Sequence, residues 1–107
     1  MSEPVLSETE VDTALIEQQL HWVREGDELV TTVKLHDFAA ALEFVNAVGA
    51  AAEAANHHPD IDIRWNTVRL ALTTHDSGGL TLLDLALAGA IDRLRPDVRD
   101  LCDRDDR

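Results

Sequence analysis

The segment Glu53–Asp84, EAANHHPDIDIRWNTVRLALTTHDSGGLTLLD, contains the signals that decide the fold. It opens in an alanine-rich helical pattern that Asn56 and Pro59 end. Two strands are predicted next, near Asp62–Trp65 and Val68–Thr74, because apolar and polar residues alternate in both. A Gly-rich turn and another helical pattern follow, so the segment predicts a helix, a hairpin and a second helix in succession.

Three of the chain's five histidines lie in this segment, at His57, His58 and His75. An unperturbed histidine titrates near about 6.5, so imidazoles beside carboxylates can move protons near neutral pH. His57 follows a predicted helix, His75 ends a predicted strand, and Asp84 lies at the start of the next helix. An acid–base pocket is therefore expected if the fold brings these three places together.

The part of the chain before this segment contains a capping box, with Ser7 as the N-cap and Glu10 at N3. The box predicts a helix from about Glu8 to Gln19. Two strands are expected after it, at about Leu20–Glu25 and Leu29–Leu35, joined by a Gly-Asp turn. Apolar residues alternate with polar ones in the second strand, which predicts a sheet covered on one face.

A long helix is predicted over about Phe38–Ala55, with Asp37 as its N-cap. One apolar face is expected to meet the sheet, and it carries Phe38, Ala41, Leu42, Val45, Val48, Gly49 and Ala52. A second apolar face carries Ala40, Phe44, Ala47, Ala51 and Ala54. One sheet cannot cover both faces, so the second predicts a self-association surface centred on Phe44. The alternative is that alanine is present only as a good helix former.

The last helix is predicted to run from a second capping box, Thr81–Asp84, to about Leu94, and to end before Pro96. The resulting order is α-ββ-α-ββ-α. Hairpins alternating with helices indicate a two-layer α+β fold, with an antiparallel four-stranded sheet and helices on one face. We expect a single domain over residues 1–107, with an ordered core at about 7–95 and a charged tail at 97–107.

Composition and charge exclude several classes of protein. The chain has 107 residues, 45% hydrophobic and 28% charged, as expected of one soluble globular domain. Its formal net charge of −12 would repel nucleic acid, so no direct nucleic-acid partner is predicted. No apolar run approaches the roughly 20 residues of a membrane span, and the N-terminus lacks a signal-peptide pattern. A cytoplasmic protein without a membrane partner is therefore expected.

The sequence supports a metal site or a nucleophilic residue less well than it supports an acid–base pocket. The single cysteine, Cys102, excludes an internal disulfide and a cysteine-based zinc site. The three histidines leave a metal site as an alternative. However, no HExxH pair is present, and the adjacent His57 and His58 should point apart in an extended segment. No serine lies in a nucleophile-elbow context. We therefore predict no metal site.

Each candidate residue also has a purely structural interpretation. His57 can cap the last carbonyls of the long helix, and His58 can be an ordinary loop residue. Asp84 can complete its capping box and do nothing more. Glu53 can be a solvated surface residue, and Trp65 can belong to the core. Spacing and residue type leave these alternatives open.

Taken together, the same residues resemble a family signature. The signature of the pterin-4a-carbinolamine dehydratases is similar to one run of this chain, Glu53-x3-His57-His58-Pro59-x5-Trp65-x9-His75-x8-Asp84. The likeness extends over about Leu20–Leu94. Two positions depart from the family's pattern: Ile61 stands where animal members carry a tryptophan, and Trp65 stands where a tyrosine is frequent.

This resemblance implies an α+β fold and an enzymatic activity. The protein would be a 4a-hydroxytetrahydrobiopterin dehydratase, a lyase that converts a 4a-hydroxytetrahydropterin to quinonoid dihydropterin and water. Such enzymes recycle the pterin product of aromatic amino-acid hydroxylases. The reaction removes the C4a hydroxyl and the N5 proton, so it needs one proton donor and one proton acceptor. It needs no metal, nucleotide or redox cofactor.

The resemblance also assigns roles to individual residues. His57 and His75 would form the acid–base pair, and His58 and Asp84 would complete the catalytic set. The residues implied to bind the substrate are His58, Glu53, Trp65, Thr74 and Pro59. The implied partners are a small-molecule pterin and further copies of the chain, in a dimer or a tetramer.

A non-enzymatic role on the same fold is the alternative. Members of the family also bind the dimerisation helices of a transcription factor or assist the assembly of larger enzymes. The two apolar faces of the long helix suit either role, but the histidine set would then have no explanation.

Overall fold

The computed structural model describes residues 3–96 and contains there three helices and four strands in the order α-ββ-α-ββ-α. The elements are α1 (Glu8–Glu17), β1 (Val23–Glu25), β2 (Glu28–Lys34), α2 (Phe38–Ala55), β3 (Asp60–Arg64), β4 (Thr67–Leu72) and α3 (Leu82–Asp92). This order confirms the predicted α+β fold class. The predictions for Cys102 and for the tail at 97–107 lie outside the described residues.

The four strands form one antiparallel sheet in the order β1-β2-β4-β3. The two hairpins therefore lie side by side and are joined through β2 and β4, where Thr31 is opposite Leu70 and Val33 is opposite Val68. Val68, Leu70 and Leu72 are fully buried in β4. The predicted alternation of that strand is confirmed, because every second side chain points into the core.

The three helices cover one face of the sheet, where the core lies. α2 packs against α3 and β4, while α1 packs against α3 and β1. The core unites buried residues from helices and strands, including Val11, Leu29, Val33, Val48, Leu70, Leu72, Leu85 and Ile91. The carboxyl end of β4 consequently lies beneath the place where α2 ends and α3 begins.

Helix starts are held by the side chains that the sequence predicts. The Ser7 hydroxyl accepts a hydrogen bond from the Glu10 N–H at 3.1 Å, and the Glu10 carboxylate accepts one from the Ser7 N–H at 2.7 Å. Asp37 accepts from the N–H of Ala40 at 2.8 Å. A complete capping box also starts α3 at Thr81. Both predicted boxes and the predicted Asp37 cap are confirmed.

The orientation of α2 differs from the prediction. Phe44 is only 5% exposed and belongs to the core, so the surface centred on this residue was wrongly predicted. Phe38 and Leu42, expected to face the sheet, are instead 46% and 41% exposed. A helix that is apolar almost all round has no single preferred inward face, so packing against α3 and β4 sets its rotation. The exposed large apolar side chains of α2 are Phe38 and Leu42.

The ends of several helices and strands also differ from the prediction. β1 begins at Val23, three residues later than expected, and α3 ends at Asp92 rather than near Leu94. Trp65 lies in the turn between β3 and β4 with a φ of 56°, not in a strand. A two-residue hairpin turn favours a left-handed residue, because that conformation matches the strand twist. Asn66 supports the turn, since its side-chain amide donates to the Leu35 carbonyl at 2.9 Å.

α2 is the one helix of the described chain that is long and apolar enough to span a membrane, with 18 residues and a mean hydropathy of 1.3. This criterion rests on length and composition only, and core helices of soluble proteins also meet it. Two charged residues, Glu43 and Glu53, interrupt the helix. Its packing against β4 and α3 makes it part of the sheet-covering layer.

Candidate active site

Three chain segments meet at one polar cavity of about 390 Å³. His57 and His58 follow the end of α2, His75 follows β4, and Leu83 is in the first turn of α3. The cavity is lined by Asn56, His57, His58, Thr73, Thr74, His75, Asp76 and Leu83. The three histidines of the signature therefore surround one space.

His57 is turned toward α3 by the way α2 ends. Asn56 adopts the left-handed conformation, with a φ of 51°, and the N–H of His57 donates to the Ala52 carbonyl at 3.1 Å. Asparagine is one of the few residues other than glycine that tolerate this conformation at a helix end. The chain reverses there and directs the His57 ring into the gap between α2 and α3.

His57 is bonded to a buried carboxylate. Its Nε2 lies 2.5 Å from Oδ1 of Asp84, and the two side chains are 11% and 0% exposed. A buried charge must be compensated by hydrogen bonds. The other oxygen of Asp84, Oδ2, accepts from the Thr74 hydroxyl at 2.7 Å and from the Thr81 N–H at 3.0 Å. Both oxygens of the Asp84 carboxylate thus have hydrogen-bond partners, and these bonds fix the orientation of the His57 ring.

Two threonines complete this buried network. The hydroxyls of Thr74 and Thr81 lie 2.8 Å apart, and the Thr81 hydroxyl also accepts from the N–H of Leu83 at 3.2 Å. Thr74 is 6% exposed and Thr81 is fully buried. Within residues 3–96 no buried side-chain nitrogen or oxygen lacks a hydrogen-bond partner. The network links the end of β4 to the start of α3 and holds Asp84 in position to bond to His57.

His58 has a carboxylate partner of a different kind. Its Nε2 lies 2.5 Å from Oε2 of Glu53, which is in the last turn of α2. The two side chains are 55% and 78% exposed. Water surrounds this pair, so it can adjust to a bound molecule more freely than the His57 pair.

His75 is exposed and stands at the start of a tight turn. Thr74 and Gly79 form an isolated bridge, and the Thr74 carbonyl accepts from the N–H groups of Ser77 and Gly78, both at 3.0 Å. No hydrogen bond or ion pair joins the His75 ring to another of the described residues. The backbone of the turn therefore sets the position of this ring.

The remaining residues implied by the resemblance are distributed differently. Thr74 lines the cavity and is part of the buried network. Pro59 is half-buried and directly follows His58 without lining the cavity. Trp65 lies beyond the far end of β3, about 17 Å along the strand at ~3.3 Å per residue, and does not line the cavity. The fold does not bring it to the histidines.

Sequence reasoning missed two contributors to this site. Thr81 was interpreted only as a helix cap, yet its hydroxyl also bonds to the hydroxyl of Thr74. Asn56 was interpreted only as a helix stop, yet its left-handed conformation directs His57. The signal for Asn56 was present, because an asparagine at a helix end favours the left-handed conformation.

A second cavity, of about 380 Å³, adjoins the first between α2 and α3. It is lined almost entirely by apolar side chains: Ala51, Ala54, Ala55, His57, Leu83, Ala86, Leu87 and Ala90. His57 and Leu83 line both cavities and form the boundary between them.

The described part of the chain contains no group of three or more His, Cys, Asp or Glu side chains arranged to hold a metal ion. Two carboxylates are bonded to histidines here, Asp84 to His57 and Glu53 to His58. Geometry in residues 3–96 therefore gives the histidine metal site no support.

Comparison with known proteins connects this geometry to a family. The family model described as pterin 4 alpha carbinolamine dehydratase matches residues 4–94. A relative from Chloroflexus aurantiacus, provisionally named a pterin-4-alpha-carbinolamine dehydratase, is 57% identical over 91 residues, covering 85% of this chain and 97% of its own. A relative from Nocardia farcinica with the same provisional name is 50% identical over 95 residues, covering 88% of this chain and 98% of its own.

Two solved structures are similar as well. A transcriptional coactivator/pterin dehydratase from Brucella melitensis has a TM-score of 0.78 at 29% identity, covering 86% of this chain and 99% of its own. A pterin dehydratase-like RuBisCO assembly factor of the alpha-carboxysome has a TM-score of 0.57 at 21% identity, covering 70% of this chain and 87% of its own, which is a likeness of fold alone. The family model and relatives that match over nearly their whole length show that the chain belongs to the pterin 4 alpha carbinolamine dehydratase family.

Proposed function

We propose that the protein is a lyase that dehydrates a 4a-hydroxytetrahydropterin, such as 4a-hydroxytetrahydrobiopterin, to the quinonoid dihydropterin. The observation that carries the proposal is the polar cavity in which three histidines meet, one of them fixed by the buried Asp84. The family model and the names of the relatives support the same reaction. The cavity volume of about 390 Å³ is within the range of roughly 300–1,000 Å³ of small-molecule sites, which suits a bicyclic ring.

The reaction divides into two proton transfers. The C4a–O bond breaks as the hydroxyl takes up a proton and leaves as water, while the lone pair of N5 forms a double bond to C4a. N5–H then gives up its proton, so that one proton is consumed and one is released. Two imidazoles in opposite protonation states can supply both steps.

His57 and His75 are the pair assigned to these transfers. His57 has its Nε2 bonded to Asp84, which leaves Nδ1 for exchange with the substrate. A carboxylate bonded to a histidine holds the ring in one orientation and stabilises the imidazolium form when it arises. His75 stands on the other segment that borders the cavity and is open to solvent. It is the more accessible of the two for proton exchange with water.

The other residues bind and orient the substrate. His58 lines the cavity and, with Glu53, presents a polar pair that can hydrogen-bond to the pterin ring. Thr74 positions Asp84, and Pro59 restricts the chain directly after His58. For Trp65, a contact with the substrate stays a prediction without geometric support, because this residue lies outside the cavity lining.

Substitution of His75 tests this function. His75→Ala should lower kcat by roughly 10²- to 10⁴-fold, the usual contribution of a general acid or base. The KM and the free energy of unfolding should change little, because the ring is exposed and the turn backbone remains. His21→Ala is a matched control, since the His21 side chain is 74% exposed and does not line the cavity. Near-normal turnover by a folded His75→Ala protein would disprove the assignment.

A second candidate function is that of a partner or assembly protein, built on copies of this chain. The exposed apolar side chains of Phe38 and Leu42 on α2 favour it, because such residues mark contact surfaces when they cluster. We propose a homo-oligomer that uses this side of α2. Leu42→Glu should then yield smaller species in light scattering, whereas a monomeric unmodified protein at micromolar concentration would disprove it. An oligomer without pterin turnover would favour the non-enzymatic role.

A further inference from the structure

The N-terminal segment Glu3–Leu6 lies against the outer side of the turn that carries His75. The hydroxyl of Ser77 donates to the Glu3 carbonyl at 2.7 Å. The N–H of Leu6 donates to the carbonyl of Leu80, directly after the turn, at 2.8 Å. These residues are separated by more than 70 positions along the sequence, so the contact is a tertiary one.

Gly79 allows the segment to approach this closely. A Cβ atom at Gly79 would lie 2.9 Å from Cγ1 of Val5, a separation that requires one of the two groups to move. Gly79 is buried and pairs with Thr74 across the base of the turn. Glycine at this position therefore serves a close approach of Val5, not a special backbone angle.

The turn is held on two opposite sides. On the inner side, the hydroxyl of Thr74 bonds to Asp84 and Thr81. On the outer side, Ser77 and Gly79 contact Glu3–Leu6. His75 lies between these two attachments and has no side-chain partner among the described residues. Its ring position therefore depends on how firmly both sides of the turn are held.

The N-terminal segment is itself anchored. It leads directly into Ser7, whose capping box fixes the start of α1. Leu6 packs against the core and lines a small cavity together with Leu80 and Val11. The segment thus connects α1 to the turn through one hydrogen bond at each end and an apolar contact at Val5.

We propose that Glu3–Leu6, acting through the Ser77 hydroxyl and the Val5–Gly79 contact, is a positioning element for His75. The proposal rests on the function proposed above for His75. A proton-transfer group must be held within hydrogen-bond reach of the reacting atom, and a misplacement of about 1 Å can cost as much as 10²-fold in rate. Ser77 and Val5 do not touch the substrate in this arrangement and act only through the turn.

Removal of the Ser77 hydroxyl is the direct test. Ser77→Ala should lower kcat by roughly fivefold, as expected for loss of one hydrogen bond of about 1 kcal/mol, and leave KM nearly unchanged. Ser77→Thr keeps the hydroxyl and should restore kcat. Thr67→Val is the matched control, because it removes a hydroxyl bonded to Asn66 at the far end of the sheet. This control should keep the kcat of the unmodified protein.

A pair of substitutions tests the Val5 contact without removing a polar group. Gly79→Ala should lower kcat by roughly fivefold, because the new methyl displaces Val5 from the turn. Val5→Ala removes the methyl groups that would meet it, so the double variant Val5→Ala/Gly79→Ala should recover most of that loss. The two effects should therefore be non-additive, as expected of residues in direct contact.

A readout that does not depend on turnover separates this proposal from the proposed function. Ser77→Ala should broaden or shift the ring signals of His75 in NMR spectra and speed hydrogen exchange at the Leu6 N–H, while Thr67→Val should do neither. An inert unmodified protein would disprove the dehydratase function, and the NMR result would still decide the positioning. If the unmodified protein is active and Ser77→Ala matches Thr67→Val in kcat and spectra, the positioning proposal is overturned.

Discussion

Two histidines that line the same cavity, His57 and His58, are each bonded to a carboxylate, over equal distances but in opposite surroundings. Nε2 of His57 lies 2.5 Å from Asp84, and Nε2 of His58 lies 2.5 Å from Glu53. The first pair is 11% and 0% exposed, whereas the second is 55% and 78% exposed. The two distances are equal, so only the surroundings distinguish the two pairs.

Burial changes what such a pair can do. An exposed pair is screened by water and salt and contributes only about 0–1 kcal/mol to stability. Removing one partner of a buried pair leaves an uncompensated polar group and costs several times more. Asp84 also has two further constraints, from the Thr74 hydroxyl and from the Thr81 N–H that starts α3. The buried pair therefore suits a group that must keep one orientation, and the exposed pair suits one that adapts to a ligand.

Breaking the buried pair should have the larger effect. Asp84→Asn keeps the side-chain volume but removes the charge and one hydrogen-bond acceptor. The free energy of unfolding should fall by about 1–3 kcal/mol, and kcat should fall on the order of 10- to 100-fold as His57 loses its partner. Chemical denaturation and steady-state kinetics measure the two quantities. An Asp84→Asn protein with unchanged kcat would show that His57 does not depend on this carboxylate.

Substitution of Thr74, which donates to the carboxylate of the buried pair, should have an intermediate effect. Thr74→Val retains the shape of the side chain but removes the hydroxyl that donates to Asp84. The free energy of unfolding should decrease by about 0.5–1.5 kcal/mol, and kcat should decrease by only a few-fold, because the Thr81 N–H still holds the same oxygen. Thr32→Val is a suitable comparison, since Thr32 is exposed on the opposite face of the sheet. A loss as large as that of Asp84→Asn would contradict the order expected here.

Breaking the exposed pair should have a small effect. Glu53→Gln should change the free energy of unfolding by less than about 1 kcal/mol, and any change should appear in KM, since His58 is proposed to bind the substrate. Calorimetry and kinetics on the same preparation would measure both. A loss of several kcal/mol would mean that Glu53 has a structural role that its exposure does not suggest.

A high salt concentration should distinguish the exposed pair from the buried pair further. At about 1 M salt the screening length is roughly 3 Å, so exposed charges interact weakly while buried ones are hardly screened. The KM difference between the unmodified protein and Glu53→Gln should therefore vanish at high salt. The kcat difference for Asp84→Asn should persist. Equal salt sensitivity of both differences would contradict the assigned surroundings.

Local signals in the sequence predicted most of the fold. Capping boxes at Ser7 and Thr81 marked two helix starts, because each of two side chains three residues apart accepts from the other residue's backbone N–H. Alternation marked β4, because every second residue meets the core. These features depend on contacts within one element or with one sheet face, so the sequence alone is enough to find them.

Features that depend on several elements could not be predicted in this way. Phe44 was expected on the surface, but α2 is apolar almost all round, and only its packing against α3 and β4 selects the buried face. The resemblance named His57 and Asp84 together, yet their direct bond joins residues 27 positions apart. The support that Glu3–Leu6 gives to the turn of His75 had no local signal at all.

The double duty of Asp84 affects how other chains of this fold should be interpreted. Its Oδ2 accepts from the Thr81 N–H to start α3, and its Oδ1 holds His57. A relative without dehydratase activity would still need an acceptor here to begin the helix, so selection for folding would preserve this carboxylate. Folding places no such requirement on the exposed His75, so this residue could be replaced during evolution. Under the proposed proton-transfer role of His75, a histidine at that position would be the better marker of dehydratase activity among relatives.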